Sequence, residues 1–407
     1  MKTIFFIARR YFLSKKEKSF INVISMLSMG GVAVGAMMLV IVLSVFNGLE
    51  DLIRTLYNTF DPEIKVSAER SKAFEYTEEM KAKVYAIDGI DMVTEAIEDN
   101  ALLEYRDDKR VVKLKGVSDN FLDQKRLDSA IVDGVFAFHR NNRDFAIVGR
   151  GIQYALNVSV RNDMTPLRLS YPNHKKLMRL SSPNILNRDV ISVGAIFAIE
   201  KQYDDNYIFV PLEFARDLMD YGDKRTSLEI KTKDGYKINK VRDDLRKALG
   251  EDFRVQNSDE QHASLLRAIK IEKFFVFITF SVILAIASLN IFFSLTMLAI
   301  DKRKDVAMLF SMGASKGFIK KIFLTEGIII AFTGAIMGLV LGFILCFAQQ
   351  TYGFVSMGME TSIVDAYPVK MEYGDFIVSG LVIFIITILI SYRPALKASR
   401  IEIRDNL

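Results

Sequence analysis

The chain has 407 residues, half of them apolar and a quarter charged, with a net charge of +5 at pH 7. This apolar content excludes a disordered chain, and 23 Gly and 7 Pro are too few for a collagen-like or low-complexity sequence. The single cysteine, Cys346, excludes a disulfide framework within the chain and a cysteine-rich zinc site.

Charged residues divide the sequence into two parts. Of the 54 basic and 49 acidic residues, only 27 lie in the 180 residues of 1–46 and 274–407, and the other 76 lie in residues 47–273. The net positive charge comes from residues 1–46 and 274–407, the part with few charged residues, so it does not indicate nucleic-acid binding. We predict an α-helical membrane protein with four transmembrane helices and a large extracytoplasmic α+β domain inserted between spans one and two.

The N-terminal segment, residues 1–22, is basic and amphipathic. Within residues 2–13, apolar side chains combine with Lys2, Arg9 and Arg10 in a pattern typical of a helix lying on the inner membrane surface. A basic cluster that only fixes the orientation of the chain explains the same residues.

Four apolar stretches are long enough to cross a membrane, since a helix needs about 20 residues to span the hydrocarbon core. They predict transmembrane helices at residues 23–46, 274–300, 322–347 and 376–393.

The distribution of Lys and Arg predicts the orientation. Lys and Arg are concentrated before the first span, in the loop 301–321 and in the tail 394–407, whereas the loop 348–375 is mainly acidic. Because cytoplasmic flanks carry the excess of basic residues, we predict that both termini and the loop 301–321 are cytoplasmic. Residues 47–273 and 348–375 are then predicted to lie outside.

Residues 47–273 are predicted to form an α+β domain with helical stalks. Apolar spacing continues the first helix to residue 60, and a capping-box pattern of Ser258 with Gln261 starts a helix that runs into the second span. Residues 170–188 combine Pro, Asn and basic side chains and indicate a long exposed loop or hairpin. Between the stalks, short strands and helices are predicted at 63–68, 76–87, 110–117, 191–199, 206–211, 212–220 and 237–249.

The sequence lacks the motifs of an enzyme. It contains no P-loop, nucleophile elbow or dinucleotide fingerprint, and its three histidines show no metal-ligand spacing. We therefore predict a non-catalytic chain, with neither catalytic nor metal-binding residues. Glu326 lies about one turn inside the third span, which indicates an interfacial acid at a helix end.

Glycines recur at helix-packing distance in two spans. Gly31 and Gly35 lie in the first span, and Gly334, Gly338 and Gly342 repeat the spacing in the third. Such glycines let two helices approach closely. The pattern fits packing within the chain as well as packing between chains.

The loop 301–321 predicts a short helix over 302–312, ended by Gly313, with Ser315 as the cap of the third span. Its apolar face indicates a helix that docks in a groove on a cytoplasmic partner, although a basic loop against lipid headgroups explains part of the pattern. The residues predicted to make this coupling contact are Lys302, Asp305, Val306, Leu309, Phe310 and Gly313.

Six segments carry a resemblance to a known family. They are KSFINVISMLSMGGVAVGAMMLVIVLSVFNGLED (18–51), NYIFVPLEFARDLM (206–219), SLLRAIKIEKFFVF (264–277), the loop 301–321 with the third span (301–342), YPVKMEYGDFI (367–377) and YRPALKASRIEIRDNL (392–407). Together, and in this order along essentially the whole chain, they resemble the lipoprotein-releasing (Lol-type) ABC transporter permeases. The loop 301–321, which is the coupling loop of that family, and the C-terminus are shared with the wider FtsX/MacB-type superfamily.

The resemblance implies a permease subunit of an ABC transporter in the inner membrane of a diderm bacterium. Such a complex combines two permease chains with two ATPase chains, so ATP and Mg are expected on the partner ATPase and no cofactor in this chain. It extracts lipoproteins from the membrane and passes them to a soluble periplasmic chaperone. The second permease chain is a paralogue or another copy of this chain.

Two related functions are alternatives to this one. A MacB-like permease expels a small molecule or peptide, but its ATPase domain is fused to the chain, and none is fused here. An FtsX-like permease regulates an extracytoplasmic enzyme, but its outer domain is much smaller than residues 47–273.

The resemblance also implies a lipid site and a chaperone site. Acyl chains need an apolar wall, which we predict on the outer half of the first span, at Met37, Met38, Ile41, Val42, Val45 and Phe46. The stretch 172–188 matches the outer-domain hairpin that recruits the chaperone in one subunit type, with docking residues Lys175, Leu177, Met178, Leu180, Pro183 and Ile185. Packing within the bundle explains the first set equally well, and a surface loop without a partner explains the second.

Overall fold

A computed structural model describes residues 2–13, 20–160, 165–173, 186–356 and 366–400. The described chain forms two units. A helical unit contains the described residues up to 52 and those from 267 onwards, and a sheet unit contains the described residues from 53 to 266.

Helices make up nearly all of the helical unit, and the sheet unit has shorter helices of its own that pack on its sheet. In chain order the helices are α1 (Lys2–Leu13), α2 (Phe20–Phe60), α3 (Glu78–Tyr85), α4 (Arg150–Leu156), α5 (Lys201–Asp204), α6 (Leu212–Met219), α7 (Ile238–Leu249), α8 (Ser258–Gln261), α9 (Ala263–Asp301), α10 (Arg303–Ser311), α11 (Lys316–Tyr352) and α12 (Tyr373–Ala398).

Strands occur only in the sheet unit, as far as the described residues extend. They are β1 (Ile64–Ala68), β2 (Phe74–Glu75), β3 (Ile90–Tyr105), β4 (Asp108–Val117), β5 (Ile131–Gly134), β6 (His139–Arg140), β7 (Arg143–Gly149), β8 (Leu167–Pro172), β9 (Leu186–Phe197), β10 (Tyr207–Pro211), β11 (Lys224–Arg225), β12 (Ser227–Thr232) and β13 (Phe253–Asn257).

Four helices of the described chain, α2, α9, α11 and α12, are long and apolar enough to cross a membrane. This confirms the predicted number of apolar helices. In a bilayer the backbone N–H and C=O groups must be satisfied within the segment, and a continuous helix does this for every residue except those at its ends. The short predicted elements of the sheet unit also match strands or helices of the structure, within a few residues at most ends.

Six strands of the sheet unit form a closed ring of hydrogen-bonded neighbours. The order is β3, β4, β10, β7, β9, β8 and back to β3. The β4–β10 and β7–β9 pairs are parallel, and the other pairs are antiparallel. The largest apolar cluster of the unit uses side chains from all six ring strands together with α4 and α6.

The first half of β3 extends the same sheet away from the ring through an antiparallel part in the order β3, β12, β1, β13. Helices α3 and α7 bury Met80, Val84, Val241 and Leu245 against it. In this sheet Ile64 pairs with Asn257, and Ala68 pairs with Phe253. The first and last strands of the unit are therefore direct neighbours.

One predicted helix start is wrong by one residue. The capping box of α8 uses Asn257, whose side chain accepts a hydrogen bond from the backbone N–H of Glu260, and the Glu260 carboxylate accepts one from the Asn257 backbone N–H. The predicted pair, Ser258 with Gln261, has the same spacing but lies one position too late. Asn is as good a cap as Ser, so the local pattern did not distinguish them.

Both glycine ridges pack within the chain. A methyl group at Gly334 would lie 2.6 Å from the carbonyl oxygen of Met29, and one at Gly338 would overlap the carbonyl oxygen of Ala33, so α11 and α2 touch through their backbones. Gly31 and Gly35 of α2 instead face Ala287 and Leu284 of α9. Helix α2 therefore lies between α9 and α11, and these contacts do not need a second chain.

The Gly338→Ala variant should be less stable than the natural chain, because its new methyl group has no space unless α2 and α11 separate. Overpacking of this kind costs about 1–3 kcal/mol. The measurement is thermal unfolding of the purified protein in detergent. Gly380→Ala is the matched control, since no atom lies within 4 Å of a methyl group at this α12 position. Equal loss of stability in both variants would contradict the packing.

A buried charged triad fixes the end of α2 to the sheet. Glu229 of β12 is fully buried, and its Oε1 atom lies 2.6 Å from Nζ of Lys115 on β4. Arg126 contacts the other carboxylate oxygen and donates a hydrogen bond to the carbonyl oxygen of Phe60 at 3.0 Å. The Lys115 ammonium also lies 4.9 Å from the centre of the Phe60 ring. Burial raises the pKa of Glu229, but the two cations outweigh it and hold that pKa at about 2.

The Glu229→Gln variant should lose about 3–5 kcal/mol of stability, because it leaves Lys115 and Arg126 buried without a counter-charge. Since the pKa of Glu229 is lowered on folding, its stabilisation is complete above the ordinary carboxyl value of 4.5 and is lost as the pH falls towards 2. Hydrogen exchange of the β3 and β12 amides measures both effects. Glu213→Gln, at an exposed position of α6, is the control; protection that is equal in the two variants would refute the argument.

Candidate functional site

The loop between α9 and α11 forms the predicted short helix. Helix α10 covers residues 303–311, and Gly313 follows it with φ of 89°, a conformation that favours glycine. The Ser315 hydroxyl accepts a hydrogen bond from the backbone N–H of Phe318 at 3.2 Å. The predicted end of the helix and the predicted cap of the third span are both confirmed.

The apolar face of α10 packs largely on this chain, which corrects the exposure expected for it. Val306 is 1% exposed and lies in a cluster with Ala8 of α1, Phe323 of α11 and Ala395 of α12. Leu309 and Phe310 are partly buried against the same cluster. The sequence missed this contact because α1 is more than 290 residues away along the chain.

A shallow groove of about 270 Å³ remains open between α1 and α10. Its most exposed apolar side chains on this side are Met308 of α10, at 51%, and Met312, which directly follows α10, at 75%. Asp305 lies at its edge, and Lys302 forms an ion pair with Asp301 at 3.1 Å. The groove is lined by Phe6, Ile7, Arg10, Tyr11, Asp305, Met308, Leu309 and Met312.

Glu326 is buried against neighbouring helices. Its side chain in α11 is 2% exposed, and no described residue offers a hydrogen bond to its Oε2 atom. The adjacent Gly327 contacts Ser391 of α12, so this turn of α11 is covered by a neighbouring helix. Sequence position alone placed the acid near the helix end, and the packing of α12 decides its burial.

An apolar cavity of about 320 Å³ lies beside the second half of the first span. Two of the six predicted lipid-site residues, Ile41 and Val45, line it, and Cys346 of α11 faces them. Helix α11 and the segments after it complete the wall with Leu345, Ala348, Gln349, Phe354, Val355, Tyr367 and Val369.

The other four predicted lipid-site residues do not line this cavity. They carry side chains that are partly or largely exposed on α2, with Met38 at 42%. These residues are Met37, Met38, Val42 and Phe46. A second apolar groove, of about 540 Å³, lies between α11 and the start of α12 and includes Phe343 and Phe376.

A polar hub joins α2, α9 and α12 near these cavities. Lys273 donates a hydrogen bond to Oδ1 of Asn47 at 2.5 Å, and the Asn47 amide donates one to Asp375 at 2.6 Å. The Lys273 ammonium also lies 3.8 Å from the Asp375 carboxylate. Asn47 is 4% exposed, so its hydrogen bonds replace those that water would otherwise supply. Local sequence patterns gave no signal for this hub.

A second cluster, in the sheet unit, joins the end of α2 to the residue that precedes α9. The rings of Tyr57 and His262 stack with centroids 3.6 Å apart, and Nε2 of His262 lies 2.6 Å from Oδ2 of Asp61. Tyr203 donates a hydrogen bond to the same carboxylate at 3.3 Å and stacks on Phe60. The two helix ends are thereby tied to each other and to the aromatic core of the unit.

The predicted chaperone-docking residues lie outside the described residues. The structure describes the strands on either side, β8 and β9, which pair as a hairpin from Leu167 with Ile191 to Pro172 with Leu186. The undescribed residues are Lys175, Leu177, Met178, Leu180, Pro183 and Ile185.

Comparison with known proteins gives matches along nearly the whole chain. The LolE transmembrane protein of the lipoprotein-releasing system of Haemophilus influenzae is 23% identical over 419 residues, which cover 99% of this chain and 98% of that protein. The LolC protein of the same system in Buchnera aphidicola is 23% identical over 393 residues, covering 96% and 94%. The periplasmic region of MacB from Actinobacillus actinomycetemcomitans aligns with 50% of this chain and 91% of its own, at 12% identity and a TM-score of 0.35.

Two family models divide the chain between them. The MacB-like periplasmic core domain matches residues 25–248, which is more than half of the chain, and the FtsX-like permease C-terminal domain matches residues 277–403. The first match includes most of α2 and most of the sheet unit, and the second includes α10, α11 and α12. The chain therefore belongs to the FtsX/MacB-like permease family and is a LolC/LolE-type permease.

Proposed function

We propose that this permease is the membrane subunit of an ABC transporter that extracts lipoproteins from the inner membrane and passes them to a periplasmic chaperone. The observation that carries the proposal is the match to LolE and LolC proteins over nearly the full length of both chains. A match to only part of these proteins would support a similar fold but not a similar function. The names of these relatives favour lipoprotein release over the MacB-like exporter and the FtsX-like regulator.

The proposed orientation places both termini and α10 in the cytoplasm and the sheet unit in the periplasm, between the first and second spans. The basic residues of the N-terminal segment, the loop 301–321 and the tail support it. The matched family is named for a periplasmic core domain, which agrees with this placement.

ATP hydrolysis is proposed to occur on a separate ATPase chain, because the sequence contains no P-loop. The groove between α1 and α10 is the proposed docking surface for that ATPase. Its exposed methionines offer apolar area, and Met adapts to an irregular partner surface. Val306 and Ala307 are buried on the opposite side of α10. Through these contacts, a displacement of α10 by the ATPase would also displace α11 and α12.

The Met308→Asp variant should fail to co-purify with the ATPase while its insertion into the membrane stays normal. Burying a Met side chain is worth about 1.5–3 kcal/mol, and a charge at that position removes this gain and adds a desolvation cost. Met308→Leu, which keeps the apolar volume, is the matched control. Phe310→Asp should also lose the ATPase, but through disruption of the cluster between α10 and α1. Normal co-purification of Met308→Asp would contradict the docking surface.

The cavity beside Ile41 and Val45 is the proposed site for a lipid chain. Its lining contains no charged residue and is mainly apolar, with Gln349 and Tyr367 as the polar exceptions, so it suits an acyl chain better than a charged group. The exposed Met38 and the partly exposed Val42 and Phe46 extend an apolar surface along α2, which a second permease chain would face. The partner chain, whether a paralogue or another copy, would complete the site.

Photo-crosslinkers at Ile41 and Val45 should capture a bound lipoprotein more strongly than one at Leu27, because the first two positions line the cavity and Leu27 is exposed near the other end of α2. Crosslinkers at Met38, Val42 and Phe46 test whether the site extends along the helix. The yield of crosslinked lipoprotein is the measurement. Labelling at Leu27 that equals labelling at Ile41 would argue against a site in this region.

Reconstitution of the permease with its ATPase and a triacylated lipoprotein tests the proposed function. ATP-dependent transfer of the lipoprotein to the chaperone is the expected result. Replacing residues 174–186 with a Gly/Ser linker of equal length should preserve assembly and ATPase activity, and it should abolish chaperone pull-down and lipoprotein release. Release at the normal rate would mean that this chain is not the recruiting subunit. Failure of the intact complex to release any lipoprotein would count against the function itself.

A further inference from the structure

The sheet unit contains a polar cleft of about 470 Å³ that the proposed function does not use. Its floor is built by six strands that are consecutive neighbours in the sheets, in the order β13, β1, β12, β3, β4, β10. Each strand contributes a polar side chain, and these are Gln256, Lys65, Ser227, Glu98, Lys113 and Tyr207. Lys65 and Gln256 are direct cross-strand partners and therefore share one face.

The rim of the cleft is also polar, and it lies where the chain enters and leaves the sheet unit. Asp61, which follows α2, and Gln261 and His262, which precede α9, line one side. Asp61 and His262 are engaged with each other, and Gln261 donates a hydrogen bond to the carbonyl oxygen of Pro62 at 3.0 Å. The rim is thus held in place by its own contacts, which gives the cleft a fixed shape without a ligand.

The floor has three charged side chains, and two of them, Glu98 and Lys113, contact Tyr207. Tyr207 donates a hydrogen bond to Glu98 at 3.0 Å, and the Lys113 ammonium lies 5.1 Å from the centre of the Tyr207 ring. The Lys65 ammonium has neither an ion pair nor a hydrogen bond with any residue that the structure describes. It is half-buried, so a ligand acceptor there would replace bound water at a partly desolvated cation.

The chemistry of the lining selects one class of ligand. Its described residues include no aliphatic side chain, which disfavours an acyl chain or an apolar small molecule. Two lysines face two carboxylates, Asp61 and Glu98, so the cleft has no excess charge for a polyanion. An extended polypeptide fits, because every peptide unit carries a donor and an acceptor. Six strands about 4.8 Å apart span roughly 24 Å, the length of about seven extended residues.

We propose that this cleft binds a polar, extended polypeptide segment with an acidic side chain on Lys65, and that the segment is the stretch of a lipoprotein that follows its lipid anchor. The assignment to a lipoprotein rests on the proposed function, whereas the binding of a peptide does not. A lipid-anchored protein that leaves the membrane carries its connecting segment with it. A polar cleft outside the membrane would bind that segment, while the acyl chains would bind at a separate, apolar site.

A photo-crosslinker at Gln256 in the full transporter complex tests peptide binding. The probe is an unlipidated peptide of Ser, Asn, Gly and Asp, with about ten residues, and a second peptide carries Lys in place of Asp. We expect saturable capture of the acidic peptide and at least tenfold weaker binding in Lys65→Gln, since a charge-assisted hydrogen bond is lost. Lys240→Gln, at an exposed position of α7, is the matched control and should bind normally.

The outcomes separate the cleft from the transport function. Capture that does not saturate, equal capture of both peptides, or unchanged binding in Lys65→Gln would overturn the peptide site. A lipoprotein with a polar connecting segment should then crosslink at Gln256. A variant of it whose connecting segment is replaced by a Leu-rich sequence should not. Equal capture of the two lipoproteins would overturn the assignment to lipoproteins. Peptide capture together with absent lipoprotein release in reconstitution would count against the transport function and leave the cleft standing.

Discussion

The helical unit depends on the close approach of α2 to α11. Two apolar helices in lipid gain little from hiding apolar surface from each other, so their association needs backbone contact and dense packing. Gly334 and Gly338 supply that contact, and at Gly342 the nearest α2 atom is already 3.3 Å from a methyl position. The apolar cavity follows this contact along α2, beside Ile41 and Val45, where α11 has Cys346 in place of a further glycine.

Buried charge has a different role in the two units. In the sheet unit, Glu229 is matched by two cations, so the end of α2 is held at a defined place on the sheet. In the helical unit, Asn47 joins Lys273 to Asp375 with hydrogen bonds that a small shift of one helix would break. Such bonds are directional and set a position. The glycine contacts set how closely α2 approaches α11, and these hydrogen bonds also fix the position of α2 against α9 and α12.

The sequence predicted what depends on local pattern. Apolar length predicted the four long helices, and Gly313 with Ser315 predicted the end of α10 and the start of α11. It did not predict β3, a 16-residue strand with five acidic residues, because their partners, such as Arg225 for Glu95, lie far along the chain. The burial of Val306 and of Glu326 escaped prediction for the same reason. Each depends on a helix that is distant in sequence, so packing decides it.

The pairing of β1 with β13 has a consequence for how the chain is organised. These strands are the first and last of the sheet unit, so nearly two hundred residues begin and end on adjacent strands. A module with neighbouring ends can be inserted into another protein without forcing the flanking segments apart. Its interior can gain or lose loops, or even whole strands, while the spacing of its ends stays constant. Sheet units of very different size can therefore be inserted between the same two flanking helices.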